Sequence, residues 1–259
     1  RSTGPRGAGN RVAAAWMVAL SASFPRGEAM FIAAVRAHRD GAPPALAAQI
    51  RDFIRQEQNH SREHLAFNRI AADAGYDLAA IDARVAALVA MTESKPPIVR
   101  LAVTCALEHF TAIFAREFLT RPAHYTGTGL GDPGLWLWHS VEEIEHKAVA
   151  YDTLLHATRA WPGRRLYLLR ALVMGSVTTR FLGNRWRDAV ELLRQDGVGP
   201  VAARARLAWH LWGRPGMLRR IVPSWAAWFR PGFHPWQHDD GALIARFDAA
   251  AMPAPAGGN

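Results

Sequence analysis

Apolar residues recur every three or four positions along most of the chain, which is the spacing that places them on one face of an α-helix. The alternating runs bounded by hairpin dipeptides that indicate strands are absent from the sequence. Segments rich in Gly, Pro and Asp interrupt the helical period at about residues 40–44, 94–97, 126–134, 161–163 and 196–200. The pattern predicts an all-α protein, with helices at about 25–39, 45–75, 97–120, 134–159, 163–183, 185–195, 199–212, 215–229 and 239–249.

The length of the chain suits one large domain, since it has 259 residues and 50% of them are hydrophobic. The longest predicted helices lie before residue 160, and the later part is more basic and richer in tryptophan. We therefore predict a single domain over residues 1–250, with a core at about 20–160 and a helical cover at about 161–250. Residues 251–259, which are mostly small residues and proline, are predicted to form a disordered tail.

The segment near the N-terminus has a basic start, an apolar run and small residues, as a signal peptide does. A polar stretch that predicts a helix follows directly, so residues 12–20 are interpreted as a buried lead-in to the core rather than a targeting signal. No membrane-spanning helix is predicted, because the best candidate, residues 166–182, contains Arg170 and Arg180. These observations favour a cytoplasmic location.

The formal net charge is +9, and nearly all of the positive charge is arginine. A guanidinium group can bind two oxygens of a carboxylate or phosphate at once, which suits an anionic ligand. Because no nucleic-acid-binding module and no lysine-rich tail occur, a small acidic molecule is the expected partner and nucleic acid is not. The single cysteine, Cys105, stands among apolar residues and is predicted to be buried rather than nucleophilic.

Two Glu-x-x-His pairs occur on two of the long predicted helices, and residues three apart lie on one helix face. Each pair is preceded by a predicted helix that carries a glutamate in an otherwise apolar face. A four-helix bundle uses this ligand set to hold two iron or manganese ions, and four carboxylates neutralise two divalent cations so that burial is tolerated. In chain order the six predicted ligands are Glu28, Glu57, His60, Glu108, Glu143 and His146.

His139 lies one helical turn before Glu143 and is a candidate for a third nitrogen ligand. The alternative is a core histidine that makes hydrogen bonds near the site. Three charged residues close to the pairs are assigned instead to solvent-exposed helix faces: Glu63, Glu145 and Lys147.

Residues next to the predicted ligands are candidates for supporting contacts. Glu142 and Gln56 could each reach across the bundle and accept a hydrogen bond from the outer N–H of the facing histidine, which would fix the tautomer of that ring. Asp152 is a further candidate for such a contact. His64 lies one turn after His60 and is a candidate for an outer ligand or a proton carrier.

Residues 60–64 also match His-x-x-Glu-His, the signature of inverted zinc peptidases. In that interpretation His60 and His64 bind zinc and Glu63 is the base of a hydrolase. The motif has only three fixed positions, leaves four of the candidate ligands unexplained, and normally occurs in a fold with strands.

Five segments, "FPRGEAMF", "RQEQNHSREHLAFN", "ALEHFTAIFA", "WHSVEEIEHKAVAYD" and "RPGFHPW", together resemble the family of predicted metal-dependent hydrolases over about residues 20–245. They also resemble the non-heme diiron monooxygenase of platensimycin and platencin biosynthesis. That resemblance implies a ferritin-like helical core, oxygen activation, and hydroxylation of a bulky apolar carboxylic acid or its coenzyme A thioester. His139 is placed similarly to the third histidine of the p-aminobenzoate N-oxygenases, which implies oxidation of an amine as an alternative.

Residues 204–236 hold five of the ten tryptophans and six arginines. This stretch is interpreted in three ways: a lid whose arginines hold an acidic substrate, a membrane-surface element, or helices that pack on the bundle with their arginines in solvent.

The residues and the resemblances together predict a ferritin-like four-helix bundle with additional C-terminal helices, acting as an O₂-dependent diiron monooxygenase. Such an enzyme needs two iron ions and an external electron donor, since no flavin or nicotinamide fingerprint occurs. The same ligand types would also accept manganese or zinc. The alternatives are hydrolysis by a metal-bound hydroxide and iron storage without catalysis.

Overall fold

The computed structural model describes residues 10–247, and over that range the chain forms helices and turns without any strand. The prediction of an all-α fold is therefore confirmed. The predicted tail at 251–259 lies outside the described residues, as does the end of the helix predicted at 239–249. In chain order the helices are α1 (Arg11–Ser21), α2 (Phe24–Arg36), α3 (Pro44–Asp73), α4 (Ala79–Glu93), α5 (Pro97–Thr120), α6 (Gly134–Glu145), α7 (Val149–Ala157), α8 (Gly163–Gln195), α9 (Pro200–Ala208), α10 (Met217–Ala227) and α11 (Gly241–Ile244).

Four helical segments form a ferritin-like bundle: α2, α3, α5 and the consecutive pair α6 and α7. Helix α2 packs on α3, α5 packs on α6 and α7, and α2 and α5 also meet across the bundle. Phe53, Phe110 and Ile144 are among the largest fully buried side chains. Burial of each such side chain contributes about 1.5–3 kcal/mol, so the apolar faces of these helices hold the bundle together.

Proline and glycine set the ends of the bundle helices. Helices α3 and α5 begin at Pro44 and Pro97, where a ring with a fixed φ suits the first turn and no N–H is left unpaired. Gly75 follows the end of α3 with φ 97°, and Gly197 follows the end of α8 with φ 79°. Only glycine adopts this left-handed conformation without a steric penalty, so the chain turns there.

The helices after residue 160 lie against the bundle. Helix α8 packs on α1 and α5, α9 packs on α8, and α10 packs on α5. Arg170 and Trp228 join α8 to the segment after α10 through two hydrogen bonds, one at 2.6 Å to the backbone oxygen of Trp228 and one at 3.1 Å from its indole N–H. The predicted cover therefore contacts the core, whereas the division of the chain into domains stays a prediction.

Several helices differ from the sequence prediction. The lead-in at 12–20 is buried as expected and forms helix α1. Helix α4 was not predicted, because its apolar residues are spread around the helix and show little helical period. The segment predicted at 134–159 is two helices that meet near His146, the two segments predicted at 163–195 are one helix, and α9 ends in a π-helical turn at Trp209–Gly213.

Two charged residues were wrongly assigned to solvent-exposed faces. Lys147 is buried, because its ammonium group donates to Asp240 Oδ2 and to the backbone oxygen of His238, each at 2.7 Å. Only 11% of the Glu63 side chain is exposed, and it pairs with Arg62. Glu145 is exposed as expected.

Two stretches are long and apolar enough to cross a membrane by length and composition alone, namely Arg11–Arg36 and Pro97–Thr120. The first contains α1 and α2 with a turn between them, and the second is helix α5 of the bundle. Burial against other helices accounts for much of their apolar character. The segment at 166–182, which the sequence analysis took as the best candidate, is not one of them.

Candidate metal centre

The six predicted ligands meet in the middle of the bundle, although they come from four different helical segments. Each is almost fully buried, with at most 3% of its surface exposed. Helix α2 carries one of them, α3 a Glu-x-x-His pair and α5 another glutamate, and the last pair stands at the end of α6. They are Glu28, Glu57, His60, Glu108, Glu143 and His146.

One end of this cluster is organised around His146. Its Nε2 atom lies 3.3 Å from Glu57 Oε1, 3.6 Å from Glu108 Oε2 and 3.6 Å from Glu143 Oε2. His146 is the C-cap residue of α6, with φ −104° and ψ 6°, so its ring lies where the helix ends rather than within a helical turn.

The other end of the cluster is organised around His60. Its Nδ1 atom lies 3.8 Å from Glu57 Oε2 and 3.5 Å from Glu143 Oε1. Glu57 and Glu143 therefore each present one oxygen to His60 and the other to His146. Carboxylates in this arrangement can bridge two cations, with one oxygen for each.

The chemistry of the cluster fits bound cations. Eight side-chain atoms of the six residues are buried and make no hydrogen bond, among them both oxygens of Glu57 and of Glu108, and Nε2 of His146. Such atoms are costly to leave unpaired in a protein interior. Carboxylate oxygens and imidazole nitrogens are ligands for iron, manganese and zinc, so a pair of divalent ions would satisfy all of them.

The two outer glutamates, Glu28 and Glu108, differ electrostatically from the other two. Burial raises the pKa of both well above the ordinary value, and the negative charge of Glu57 raises it further. Without cations, burial therefore favours the protonated form of both groups. The Ser61 hydroxyl donates to Glu28 Oε2 at 2.7 Å and holds that carboxyl group in place.

The bridging glutamates and the histidines shift in the opposite sense. Burial opposes ionisation of Glu57 and Glu143, but the neighbouring imidazoles outweigh it and lower the pKa of both carboxyl groups. Burial likewise opposes protonation of His60 and His146, yet the surrounding glutamates raise the pKa of His60 to about 10 and that of His146 well above its usual range. These shifts favour ionised carboxyl groups at Glu57 and Glu143 and protonated rings at His60 and His146, and metal binding would displace the ring protons from the site.

The comparison with known proteins agrees with this site. Residues 7–239 match the family described as predicted metal-dependent hydrolase. The chain belongs to this family. No curated protein and no solved structure matches the chain. The family part of the sequence resemblance is confirmed, and the resemblance to the diiron monooxygenase stays without a match.

Two supporting contacts that the sequence analysis anticipated are present in this family member. Nε2 of His60 donates to Glu142 Oε2 at 2.9 Å, and Nδ1 of His146 donates to Gln56 Oε1 at 3.1 Å. Each contact uses the ring nitrogen that faces away from the glutamate cluster. It therefore leaves Nδ1 of His60 and Nε2 of His146 directed at the site.

His139 and His64 form a buried chain that starts at Glu143. His139 Nε2 lies 2.9 Å from Glu143 Oε1, and His139 Nδ1 lies 2.6 Å from His64 Nε2. His64 Nδ1 lies 2.9 Å from the Ser21 hydroxyl, which donates to Asn68 at 2.8 Å. A ligand atom from each of Glu28, His64 and His139 can be chosen within 4.8 Å of the others, a second group that could hold a metal.

Asp152 lies apart from the predicted ligands. Its carboxylate accepts a hydrogen bond from His234 at 2.9 Å, and it lines a polar pocket of about 260 Å³ together with Gln56 and His146. Within the described residues its contact is thus with the C-terminal segment and not with a ligand histidine.

The structure does not support the inverted zinc-peptidase arrangement. His60 faces Glu57 and Glu143, whereas His64 faces His139 and Ser21. These two histidines belong to different metal-capable groups.

Two residues that position groups at this site were missed from the sequence. Ser61 lies four residues after Glu57 on α3, so its place beside the site could have been inferred from the helical spacing. Ser21 is 43 residues from His64, and no spacing in the sequence relates them.

Proposed function

We propose that this family member is a dimetal enzyme and that its chemistry is oxygen activation, as in a non-heme diiron monooxygenase. Its substrate would be a bulky apolar carboxylic acid or the corresponding coenzyme A thioester. The observation that carries the proposal is the set of eight unpartnered donor atoms, one of them on Glu28, which also lines an apolar cavity.

The cavity beside Glu28 has a volume of about 250 Å³. Its walls come from α2, α4, α5 and α8, and most of them are apolar, including Phe24, Phe31, Leu107 and Val173. An apolar wall next to a charged centre suits a hydrocarbon skeleton, since it keeps water away from the reacting carbon.

Two cations stand in the lining of this cavity at its exposed side. Lys95 and Arg180 are both exposed, and neither has a carboxylate partner within the part of the chain that the structure describes. The Arg180 guanidinium contacts Ser176 Oγ and Met91 Sδ instead. These charges support an anionic group on the substrate, with the apolar part directed toward Glu28.

Two iron ions, when bound, would supply the activation of O₂. The chain itself contributes the rest: Glu57 and Glu143 would help to hold both ions, and Glu142 and Gln56 orient the ligand histidines. The mostly apolar lining of the cavity disfavours water on the side of Glu28. The hydroxyl of Ser61 holds the Glu28 carboxyl group at the boundary between the cavity and the site.

The second candidate function is metal-dependent hydrolysis, which the description of the family favours. The polar pocket beside His146 also favours it, because water and a polar substrate could reach the site from that side. The same glutamates would then hold the ions, and the reaction would need neither O₂ nor a reductant.

A parallel assay separates the two functions. Protein loaded with Fe²⁺ is given a chemical reductant, ¹⁸O₂ and a series of long-chain or polycyclic acids and their thioesters, and products are analysed by mass spectrometry. Incorporation of one ¹⁸O atom from O₂ supports the oxygenase. Anaerobic cleavage of an ester or thioester by the zinc- or iron-loaded protein, without any O₂-dependent product, contradicts it and establishes hydrolysis.

A further inference from the structure

The amide of Asn68 sets the direction of the hydrogen-bond chain at its outer end. Its Nδ2 group donates to the backbone oxygen of Ser21 at 3.2 Å, so Oδ1, which lies 2.8 Å from Ser21 Oγ, can only accept. The Ser21 hydroxyl therefore donates to Asn68. It has only lone pairs left for His64, whose Nδ1 must donate to it.

This direction propagates to the metal cluster. A neutral His64 that donates from Nδ1 accepts at Nε2, so His139 must donate from its Nδ1 across the 2.6 Å contact. The lone pair of His139 Nε2 then faces Glu143 Oε1 at 2.9 Å, and two acceptors meet with no proton between them. Reversing the chain relieves this contact but leaves Ser21 and Asn68 as two facing acceptors.

With both rings neutral, a metal ion between His139 Nε2 and Glu143 gives every atom of this hydrogen-bond chain a partner.

We propose that His139 binds the ion nearer to His60 through Nε2, and that Ser21 and His64 are positioning residues that hold His139 in the required tautomer. The proposal rests on the dimetal site and not on the reaction the site performs. The two ions would then be unequal, since one has two imidazole ligands and the other has only His146.

The tautomers can be read directly. Protein labelled with ¹⁵N-histidine is loaded with two equivalents of Zn²⁺, and the ring nitrogens are assigned by NMR. We expect His64 and His139 both to carry their proton on Nδ1. A proton on Nε2 of His139 while the protein holds two zinc ions would overturn the proposal, whereas a protein that holds no zinc would overturn the dimetal site itself.

Variants at the outer end of the chain test the positioning role. Ser21→Ala should weaken one of the two Zn²⁺ sites about 10- to 100-fold and leave the other unchanged. Ser21→Thr retains the hydroxyl and should restore the affinity. Ser23→Ala is the matched control, since the Ser23 hydroxyl donates to the backbone oxygen of Leu20 and takes no part in the hydrogen-bond chain. Equal weakening by Ser21→Ala and Ser23→Ala would contradict the role of Ser21.

A different observation concerns the surface of α9 and the turn that follows it. Val201, Ala205, Trp209 and Trp212 recur at helical spacing and are all exposed; we call them the α9 face. The two tryptophans are 66% and 51% exposed, and Val201 is 76% exposed. Large apolar side chains are seldom this exposed as a group unless something covers them.

The backbone holds the α9 face in place. A Cβ on Gly213 would lie 2.7 Å from the Trp209 ring, so glycine is what allows that ring to pack over the turn. Arg219 donates to the backbone oxygens of Trp212 and Gly213 at 2.9 and 3.3 Å and closes the same turn. These contacts hold the backbone of the turn that carries both tryptophans.

The charge around this face has one sign. Residues 197–238 contain no Asp or Glu and six arginines. Exposed arginines stand directly beside the α9 face at positions Arg204, Arg206, Arg214 and Arg219. Tryptophan with a basic border is the combination that binds the interface of an anionic membrane, where the rings enter the headgroup region and the guanidinium groups contact phosphate.

We propose that the α9 face docks on the surface of a bilayer that contains anionic lipids. The experiment is flotation of the full chain with phosphatidylcholine vesicles and with vesicles that contain one quarter phosphatidylglycerol. We expect binding to the second kind only, with a blue shift of tryptophan fluorescence. The double variant Trp209→Ser, Trp212→Ser should reduce binding at least tenfold.

Trp236→Ser is the matched control, because Trp236 is 48% exposed and lies outside the α9 face. It should bind vesicles as the wild type does. Equal loss of binding in the control and in the double variant would overturn the proposal. So would vesicle binding that the double variant retains, or a preference for duplex DNA over vesicles at equal charge.

Discussion

At the scale of single residues, Glu143 has the most decisive position, because its two oxygens face His60 and His146 separately. Replacement by alanine would remove a ligand and a negative charge that both ions share. We expect Glu143→Ala to retain less than half of the metal that the wild type binds, as measured by elemental analysis after gel filtration.

The control for this variant is Asp73→Ala, which removes an exposed carboxylate at the end of α3, away from the cluster. It should keep the metal content of the wild type. A folded Glu143→Ala protein with its full complement of metal would refute the site.

Glu142 tests the contribution of a residue that does not face the cluster. It accepts the hydrogen bond from the outer nitrogen of His60, and removal of such a partner weakens metal binding about 10- to 100-fold. We expect Glu142→Ala to show this loss in a competition titration with a chromophoric chelator. Unchanged affinity would mean that the ring of His60 is held by packing alone.

The ligands could be predicted because they share one helix period, whereas the errors concern residues whose partners are far away in sequence. The spacing of three residues between Glu57 and His60 indicates that they share one face of a helix. Lys147 looked like a surface residue because Asp240, its partner, is 93 positions away. Nothing in the local pattern distinguishes a paired lysine from a solvated one.

At the scale of elements, the joint between α6 and α7 was not predictable. No glycine or proline occurs at residues 145–149, so the sequence reads as one helix. The structure ends α6 at Glu145 and places His146 in a non-helical conformation. Tertiary contacts of that ring with three glutamates accompany this break, and local propensity gives no sign of them.

A histidine in the π-helical turn after α9 should make the stability of the fold depend on pH. His210 is buried there, and burial, with a smaller effect of His124, lowers its pKa to about 4. The unfolded chain takes up a proton near pH 6.5, whereas the folded chain does not until about pH 4. The neutral His210 therefore costs the folded state nothing above pH 6.5. As the pH falls from 6.5 toward 4, the free energy of unfolding decreases.

Between pH 7 and pH 4, the free energy of unfolding of the His210→Leu variant should fall by roughly 1–3 kcal/mol less than that of the wild type. The measurement is urea denaturation of both proteins at several pH values, with the difference between them as the result. Parallel curves for the two proteins would show that His210 is not responsible.

The ion pair of Lys147 and Asp240 anchors the C-terminal segment to the bundle. Lys147→Met would leave the buried Asp240 with Arg116, whose Nε lies 3.5 Å from Oδ1, as its remaining cationic partner among the described residues, and breaking a buried pair from one side costs up to about 3 kcal/mol. We expect that loss in the free energy of unfolding. The double variant Lys147→Met, Asp240→Leu should recover most of it, and a double variant as unstable as the single one would contradict this explanation.

At the scale of the whole molecule, metal should stabilise the fold. The cluster joins four helical segments, and ions that bind only the folded chain stabilise it by about 4 kcal/mol at a thousandfold excess over Kd. We expect a clear rise in Tm on addition of Zn²⁺ or Fe²⁺ to metal-free protein in differential scanning calorimetry. Glu143→Ala should show little rise, and an unchanged wild-type Tm would contradict the site.

The fold class and the bundle helices were predictable because helical periodicity is a local property. The packing of α8 on α1 and α5 was not, since contacts between distant segments leave no period in the sequence. The α4 helix was missed for a related reason, because its apolar residues have no single preferred side. Fold class is therefore readable from this chain, whereas the arrangement around the bundle is not.

The metal cluster stands between two openings of opposite character. The cavity at Glu28 is apolar, and the pocket at His146 is polar. A molecule that enters through the cavity need not compete with one that enters through the pocket. A fatty acid that plugs the first opening should leave the second free, so that a small hydrophilic chelator can still extract the ions while the plug is in place. The site would then have one apolar and one polar access route. The kinetics of inhibition would reveal which route a compound uses.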